Sequence, residues 1–319
     1  MAHTVGIDIG GTKIAAGVVD EQGVVVARTR RETPAKAPAD IRAAVADAVA
    51  ELATTHTVTA VGVAAAGFVD AARSTVVFAP NLAWRDEPLR AGLEAVLERP
   101  VVVENDANAA AWGEYRFGGA VGGDGAPVDD VLLLTVGTGL GGGIIAGGHL
   151  QRGAHGAAAE VGHARAVPGG HPCGCGQRGC WEQYVSGSAL VREARALVRG
   201  AEAPGKPLLD AAGGEVDAID GPLVTRLAVE GDPAAVQLLA ELGRWLGECA
   251  ASLVAVLDPA VVVVGGGVSA AGDLLLAPAR ESFAASLSGG GHRAPAPLRL
   301  AELGNDAGMI GAADLARTL

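Results

Sequence analysis

The chain has 319 residues, half of them hydrophobic but only 3% aromatic, and a formal net charge of −12 at pH 7. This length allows two domains, since single cores seldom grow beyond about 250 residues, and the core should be aliphatic. The acidic balance argues against nucleic acid as a partner. The apolar runs are too short to span a bilayer and the first residues lack the features of a signal peptide, so we expect a cytoplasmic protein without a membrane partner.

The N-terminal segment predicts three strands joined by two turns. Its first turn, DIGGTK, consists of Asp8 at a strand end followed by Gly10, Gly11, Thr12 and Lys13. Such a turn can wrap a phosphate, because glycines let backbone N–H groups approach it, and a nearby carboxylate can hold magnesium. The alternative is a plain β-hairpin that needs glycines for its turn. A Walker A or Rossmann motif does not fit, because the chain continues as a strand.

Helices and strands alternate through the next hundred residues. Residues 37–56 carry apolar residues at helical spacing and predict an amphipathic helix, and Ala60–Ala65 predicts a buried strand that ends at Gly67. In VVVENDANAAAWGE, Asn105 and Asp106 lie where a strand ends and a helix begins. Either could cap that helix. Beside a phosphate turn, Asp106 could instead accept the proton of an attacking hydroxyl, with Asn105 holding a neighbouring hydroxyl of the acceptor.

The second half of the chain repeats the opening pattern. Residues 120–130, rich in glycine, proline and acids, predict a linker. VLLLTVGTGLGGGIIAGGHL then predicts three strands and two glycine turns, and Thr138 and Gly139 could present a hydroxyl and amides to terminal phosphates. The alternation predicts an α/β architecture, and the repeat predicts two related lobes with a cleft between them.

The C-terminal third predicts mainly helices. Residues 186–231 are mostly helical in pattern, and a long helix follows with Asp232 as its N-cap and Asp258-Pro259 as its stop. It leads into the strand VVVV and a third glycine turn suited to packing a nucleotide base or ribose, formed by Gly265, Gly266 and Gly267. A last helix starts near Asn305-Asp306 and should pack against an earlier domain.

Three of the four cysteines fall within eight positions. Together with a preceding histidine they form the pattern H-x9-C-x-C-x4-C, made by His163, Cys173, Cys175 and Cys180. One His and three Cys complete a tetrahedral zinc set with no position left for water, which indicates a structural ion. A disulfide or free buried thiols are the alternatives, disfavoured by reducing surroundings. Cys249 lies inside the long helix and is interpreted as a core residue.

Two glutamates flank this cysteine-rich segment. Glu160 and Glu182 have no obvious ionic partner in the sequence, and a metal-stiffened loop would hold both carboxylates in place. Paired carboxylates suit the paired hydroxyls of a sugar. A surface charge or a helix cap is the alternative for Glu160.

Five motifs occur in an order that resembles the ROK family of sugar kinases and sugar-responsive repressors: DIGGTK, ENDANAAAWGE, TVGTGLGGGI, EVGH and CGCGQRGCWEQYVSG. The resemblance covers nearly the whole chain. It implies an α/β, actin-like, hexokinase-type ATPase fold with two lobes, a duplicated core and a central cleft for ATP and magnesium, besides structural zinc. The lobes would be residues 1–120 plus 305–319 and residues 121–304. The resemblance also implies a homodimer or homotetramer.

The same resemblance implies roles for individual residues. Asp106 would be the catalytic base, and His163 would bind both zinc and sugar through its two ring nitrogens. The candidate sugar-binding residues are Asn105, Asp106, Glu160, His163, Glu182, Gly67 and Asn81. One departure is Ala66, which stands where many members have proline before glycine, and this weakens the prediction of a backbone contact to sugar at Gly67.

PNLAWRDEPL resembles the glucose-phosphorylating members of the family, so we expect ATP-dependent phosphorylation of glucose at its 6-hydroxyl. A kinase for another hexose (fructose, mannose, allose, N-acetylmannosamine or N-acetylglucosamine) is an alternative that the shared motifs leave open. Polyphosphate as donor is disfavoured because basic stretches are lacking. A sugar-sensing repressor would need an N-terminal helix-turn-helix segment, for which a hairpin beginning at Val5 leaves no room.

Overall fold

A computed structural model of the chain describes residues 3–120, 124–200 and 205–318. The strands, in chain order, are β1 (His3–Ile9), β2 (Lys13–Val19), β3 (Val25–Glu32), β4 (Val58–Ala65), β5 (Phe68–Val69), β6 (Val76–Phe78), β7 (Arg85–Glu87), β8 (Val101–Asn105), β9 (Val131–Val136), β10 (Leu140–Ala146), β11 (His149–Leu150), β12 (Val261–Gly265) and β13 (Leu298–Leu300). The helices are α1 (Pro38–Ala53), α2 (Leu89–Leu97), α3 (Asp106–Phe117), α4 (Gly187–Arg199), α5 (Lys206–Ala211), α6 (Gly221–Val229), α7 (Pro233–Leu257), α8 (Asp273–Ser286) and α9 (Ala307–Ala316).

Two five-stranded sheets share one topology. The first has the order β3-β2-β1-β4-β8 and the second the order β11-β10-β9-β12-β13. In each sheet the first three strands in sequence form an antiparallel meander, and the remaining two pair in parallel on its other side. The predicted duplication of strand, glycine turn and strand is thus confirmed at the level of topology.

The C-terminal helix α9 packs on the first sheet. Its backbone lies so close to β4 that a Cβ on Gly62 would come within 1.8 Å of the Ala312 carbonyl oxygen. A Cβ on Gly311 of α9 would approach the Ala109 carbonyl of α3 equally closely. Glycine is therefore required at both crossings. The expected packing of the last helix against an earlier part of the chain is confirmed.

The remaining secondary-structure predictions match with small shifts. The helix predicted at 37–56 spans Pro38–Ala53, and the long helix begins after Asp232, whose Oδ1 accepts a hydrogen bond from the Ala235 backbone N–H at 2.8 Å. Cys249 is fully buried in an aliphatic core, as expected. Within the predicted linker at 120–130, residues 121–123 lie outside the described residues, as do residues 201–204 of the helical segment. In the described part of the chain, no helix combines the length and apolar character needed to cross a membrane.

Candidate active site

A cavity of about 360 Å³ is formed where the carboxyl ends of the first sheet's strands face the turn between β9 and β10. This size suits a small-molecule ligand. The sequence-predicted residues that line it are Gly11, Gly67, Asn81, Asn105, Asp106, Thr138, Gly139, Glu160, His163 and Glu182. The structure therefore brings all seven candidate sugar-binding residues to one cavity.

Asn105 is the last residue of β8 and Asp106 is the first residue of α3, because the strand passes into the helix without an intervening turn. Asn105 caps the helix, its Oδ1 accepting the Asn108 backbone N–H at 3.0 Å, as one sequence interpretation predicted. The other end of the same amide faces the cavity side, where Nδ2 donates to the Gly67 carbonyl and to Asp106 Oδ1, both at 3.1 Å. The Asn105 side chain thus caps the helix through Oδ1 and takes part in the site through Nδ2.

The Asp106 carboxylate is held at one oxygen. Its Oδ1 accepts the Ala107 backbone N–H at 2.9 Å in addition to the Asn105 amide, so Oδ2 is the oxygen that can face an incoming hydroxyl. Burial raises the pKa of Asp106 above its ordinary value, although these two hydrogen bonds act in the opposite direction. A raised pKa favours a carboxylate that must take up a proton during the reaction.

Two further carboxyl groups of the site have raised pKa values. Burial and the charge of Asp106 raise the pKa of Asp8 to about 6, with Lys13 acting against the shift. Burial and the charges of Asp106 and Glu182 raise the pKa of Glu160 to about 7. Mutually repelling carboxylates of this kind suit a site that receives a cation and hydroxyl donors.

Glu160 and Glu182 approach the cavity from opposite ends of the cysteine-rich segment. Glu160 precedes a short 3-10 turn, Val161–His163, but its side chain does not cap that turn. Glu182 Oε2 accepts the Leu140 backbone N–H at 3.3 Å, and this hydrogen bond connects the end of the cysteine-rich segment to the glycine turn before β10. Glu160 thus presents its carboxyl to the cavity, and the capping alternative is ruled out.

His163, Cys173, Cys175 and Cys180 form one cluster in which the donor atoms all lie within 4.8 Å of one another. The sulfurs of Cys175 and Cys180 are 3.7 Å apart, as are Cys173 Sγ and His163 Nδ1. Donor atoms around a tetrahedral zinc with bonds of about 2.3 Å lie about 3.8 Å apart. All four cysteines are free thiols, and a sulfur separation of 3.7 Å excludes a disulfide. The donor set and its spacing fit a structural zinc ion.

A larger cavity, of about 1060 Å³, adjoins the first one. Gly137 and Thr138 line both cavities, so the turn between β9 and β10 is their shared wall. Of the third glycine turn, only Gly267 lines the larger cavity. Gly265 is buried at the end of β12, and Gly266 has a φ of 87° with no room for a Cβ against the Val136 backbone. Gly266 therefore shapes the turn.

The first glycine turn is a tight hairpin, with the Gly10 backbone N–H donating to the Lys13 carbonyl at 3.0 Å. Gly11 reaches the smaller cavity, whereas Gly10, Thr12 and Lys13 are not among its lining residues. Asp8 lies close enough to Asp106 for their charges to interact. Asp8, at the end of the strand that leads into this turn, is thus beside the candidate base.

Sequence reasoning missed the arginines of the larger cavity. They come from two separate helices, α4 and α6, and comprise Arg192, Arg195, Arg199 and Arg226. Three of them recur at intervals of three and four residues along α4, which was the available signal of a common helix face. It also missed other residues that line the smaller cavity, among them Phe68, Pro80, Thr135 and Ala159.

Two similar sheets, with a carboxylate on the wall of a small cavity that adjoins a larger one, fit the class of two-lobed phosphotransferases. The model of the ROK family matches residues 4–319, and the chain belongs to the ROK family. It has the actin-like ATPase fold found in the family's hexokinases and glucokinases.

Two curated relatives and one solved structure are similar to this chain over nearly its full length. Glucokinase from Streptomyces coelicolor is 51% identical over 317 residues, which are 99% of this chain and 98% of the relative. N-acetylmannosamine kinase from Escherichia coli is 35% identical over 318 residues, 98% of both chains. The crystal structure of a ROK family glucokinase from Streptomyces griseus in complex with glucose and AMPPNP has a TM-score of 0.90 and 51% identity, covering 99% of this chain and 100% of that one.

Proposed function

We propose that this protein transfers the terminal phosphoryl group of ATP to the 6-hydroxyl of glucose. The observation that carries the proposal is the position of Asp106 on the wall of a sugar-sized cavity that meets a larger cavity at Gly137 and Thr138. An acceptor in the small cavity and a triphosphate reaching out of the large one would meet beside this carboxylate. The glucokinases at 51% identity support glucose as acceptor and ATP as donor.

Asp106 acts in this proposal as the general base that takes the proton of the attacking hydroxyl. Asn105, Glu160, His163 and Glu182 bind the remaining hydroxyls, with Asn81 and the Gly67 backbone at the rim. The zinc cluster contributes rigidity, because His163 turns Nδ1 toward the thiols and leaves its other nitrogen for the sugar.

The donor is held by the glycine turns. Thr138 and Gly139 face the terminal phosphates, the hairpin of Gly10, Gly11, Thr12 and Lys13 closes over them, and Gly267 lies against the nucleoside. Magnesium, when bound, neutralises charge that develops on the phosphates. Asp8, a carboxyl whose pKa is raised by burial and by the charge of Asp106, is the residue suited to hold that ion's hydration shell.

The test is ADP formation from magnesium-ATP against glucose, mannose, fructose, N-acetylmannosamine and N-acetylglucosamine. We expect kcat/KM to be highest for glucose. Turnover mainly on an N-acetylated hexose would move the substrate assignment, and folded, zinc-loaded protein that turns over none of these sugars would contradict the proposal. Inorganic polyphosphate replaces ATP in a parallel series that tests the donor.

The predictions of a homodimer or homotetramer and of a cytoplasmic location remain predictions. Light scattering tests the first, and cell fractionation tests the second.

Sugar affinity should depend on pH through Glu160. Its pKa is raised to about 7, so below that pH the side chain is largely neutral and above it largely ionised. A hydrogen bond to a charged acceptor is stronger than one to a neutral acceptor, so we expect glucose to bind about threefold to tenfold more tightly as the pH rises through the pKa. Titration calorimetry at a series of pH values measures this. Glu160→Gln should bind weakly at every pH, and an equally pH-dependent Glu160→Gln would show that another group titrates.

Gly139 should be needed for the position of Glu182. A Cβ at Gly139 would come within 2.3 Å of Glu182 Oε2. Gly139→Ala therefore forces this carboxylate away from its position beside the Leu140 backbone N–H. We expect glucose KM to rise by about tenfold, the loss of one charge-assisted hydrogen bond, with little change in thermal stability. Gly200→Ala is the surface control, since Gly200 is exposed, has a φ of −70° that alanine adopts without strain, and would place its Cβ no closer than 3.4 Å to a neighbouring atom. Equal effects of the two variants on glucose KM would refute this explanation.

A further inference from the structure

A buried carboxylate stands two residues before the candidate base in the chain. Glu104, the residue before Asn105 in β8, is only 2% exposed. Its Oε1 accepts the Asn105 backbone N–H at 3.1 Å and the Asn108 side-chain amide at 3.2 Å. Its Oε2 accepts Arg152 Nε at 2.6 Å and lies 3.5 Å from Arg73 Nε. One side chain therefore contacts three separate segments of the chain.

The first of these segments is the β5–β6 hairpin, which carries Gly67 and Phe68 on the cavity wall. Arg73 lies in its turn, in a left-handed conformation with φ of 57°, and its carbonyl accepts the Val103 backbone N–H at 3.3 Å. Burial and the neighbouring charge of Arg152 lower the pKa of Arg73 to about 10. This guanidinium is thus largely withdrawn from water and depends on Glu104 for its counter-charge.

The second segment runs from Arg152 to Glu160. It turns back on itself, with the Ala158 backbone N–H donating to the Arg152 carbonyl at 3.0 Å. It also rests on the hairpin, because a Cβ at Gly156 would come within 2.2 Å of the Val69 carbonyl oxygen. Fixing Arg152 therefore fixes one end of a compact loop whose other end is Glu160. The third segment is the β8–α3 junction, with Asn105 and Asp106.

We propose that Glu104 is a positioning residue for phosphoryl transfer. Through its contacts with Arg73 and Arg152, it fixes the relative positions of three segments that surround the sugar. These segments carry Gly67, Asn105–Asp106 and Glu160. This inference rests on the proposed function. Its physical basis is charge balance: two half-buried guanidinium groups share one buried carboxylate, so removing its charge leaves two like charges facing each other. The repulsion between the two guanidinium groups then moves the three segments apart.

The isosteric variant Glu104→Gln tests the charge while keeping the shape. We expect glucose KM to rise and kcat to fall, with kcat/KM for glucose lower by about 10- to 100-fold, the effect of a small misplacement of reacting groups. KM for ATP should stay within about twofold, because the larger cavity is lined by other elements. A purely structural role would lower the folded fraction and leave both KM values unchanged, and that result would overturn the proposal.

Glu114→Gln is the matched control. Glu114 is also a fully buried carboxylate of the same region, in α3. It accepts backbone N–H groups of Gly119, Glu302 and Leu303 at 2.8–3.0 Å, away from the sugar walls. We expect this variant to lose thermal stability and keep its glucose KM. An equal rise of glucose KM in both variants would contradict a specific role of Glu104.

Arg152→Gln provides a second route, because Arg152 is partly exposed and its loss is more easily tolerated in folding. It should raise glucose KM in the same direction. Combined with Glu104→Gln it should have less than the summed effect, because the two residues act through one contact. Additive effects, or an unchanged glucose KM in Arg152→Gln, would overturn the proposal. Glucose affinity by calorimetry is measured alongside, so wild-type protein that fails to turn over glucose would refute the proposed function. Weaker glucose binding in Glu104→Gln than in Glu114→Gln would still support the positioning role, and equal binding would overturn it.

Discussion

Replacing Asp106 by Asn is expected to lower kcat for glucose phosphorylation by about 10²- to 10⁴-fold, the contribution of a positioned general base. Asn retains an oxygen that can accept the Ala107 backbone N–H, now at 2.9 Å from Asp106 Oδ1, so the start of α3 should stay intact. What is lost is the ability to take a proton from the sugar hydroxyl.

Steady-state kinetics and calorimetry together distinguish this role from a structural one. Asp106→Asn should unfold at nearly the wild-type temperature and bind glucose within about tenfold of wild type, the loss of one hydrogen bond to a charged group. A kcat within threefold of wild type would show that another group accepts the proton. Loss of folding in the Asn variant, but not in Asp106→Glu, would instead mark the residue as an essential part of the helix start.

Removing the metal is the second change with a large expected effect. Zinc binding to a Cys₃His set contributes about 10 kcal/mol or more in small zinc domains, comparable to the whole net stability of a typical domain. Without it, the segment that carries His163 and Glu182 should lose its shape. Hydrogen bonds to charged groups contribute about 1.5–3 kcal/mol each, so losing both should weaken glucose binding by about 10²-fold or more.

Cys180→Ala and Cys249→Ala form a matched pair for this test, since both thiols are fully buried but only Cys180 belongs to the metal cluster. Cys180→Ala should lose zinc, measured by atomic absorption, and glucose affinity, measured by calorimetry. Cys249→Ala should keep both and show only a modest loss of thermal stability from its small cavity. Zinc-free Cys180→Ala protein with wild-type glucose affinity would refute the role of the metal in shaping the sugar wall.

The parts of the site that could be predicted from sequence are those with a local signal. The glycine turns were visible because only glycine lets the backbone close so tightly, and the zinc cluster because its donor types and spacing are restrictive. Asn105 and Asp106 could be placed because a strand and a helix meet between them. The capping prediction for Asn105 and the site prediction were not alternatives, since its Oδ1 caps the helix while its Nδ2 donates to the Gly67 carbonyl.

The parts that could not be predicted depend on contacts between distant segments. Glu104 reads in the sequence as the end of a strand, and only the folded chain brings Arg73 and Arg152 to its two sides. The arginines of the larger cavity belong to helices whose relative position no local pattern encodes. Gly265, Gly266 and Gly267 looked equivalent in sequence, but only Gly267 lines the larger cavity.

The sequence by itself determined the alternation of strands and helices, the duplicated hairpin pattern and the set of candidate zinc donors. Each of these follows from side-chain periodicity, backbone freedom or ligand chemistry within a few dozen residues. Only the tertiary structure decided that the two cavities meet at Gly137 and Thr138, and that Asp106 lies close enough to Asp8 and Glu160 for its charge to help raise their pKa values. It also decided that Glu104 contacts three separate segments of the chain. Such features arise from packing and charge interactions between residues far apart in the chain, whose distances are set only when both sheets and their helices have assembled.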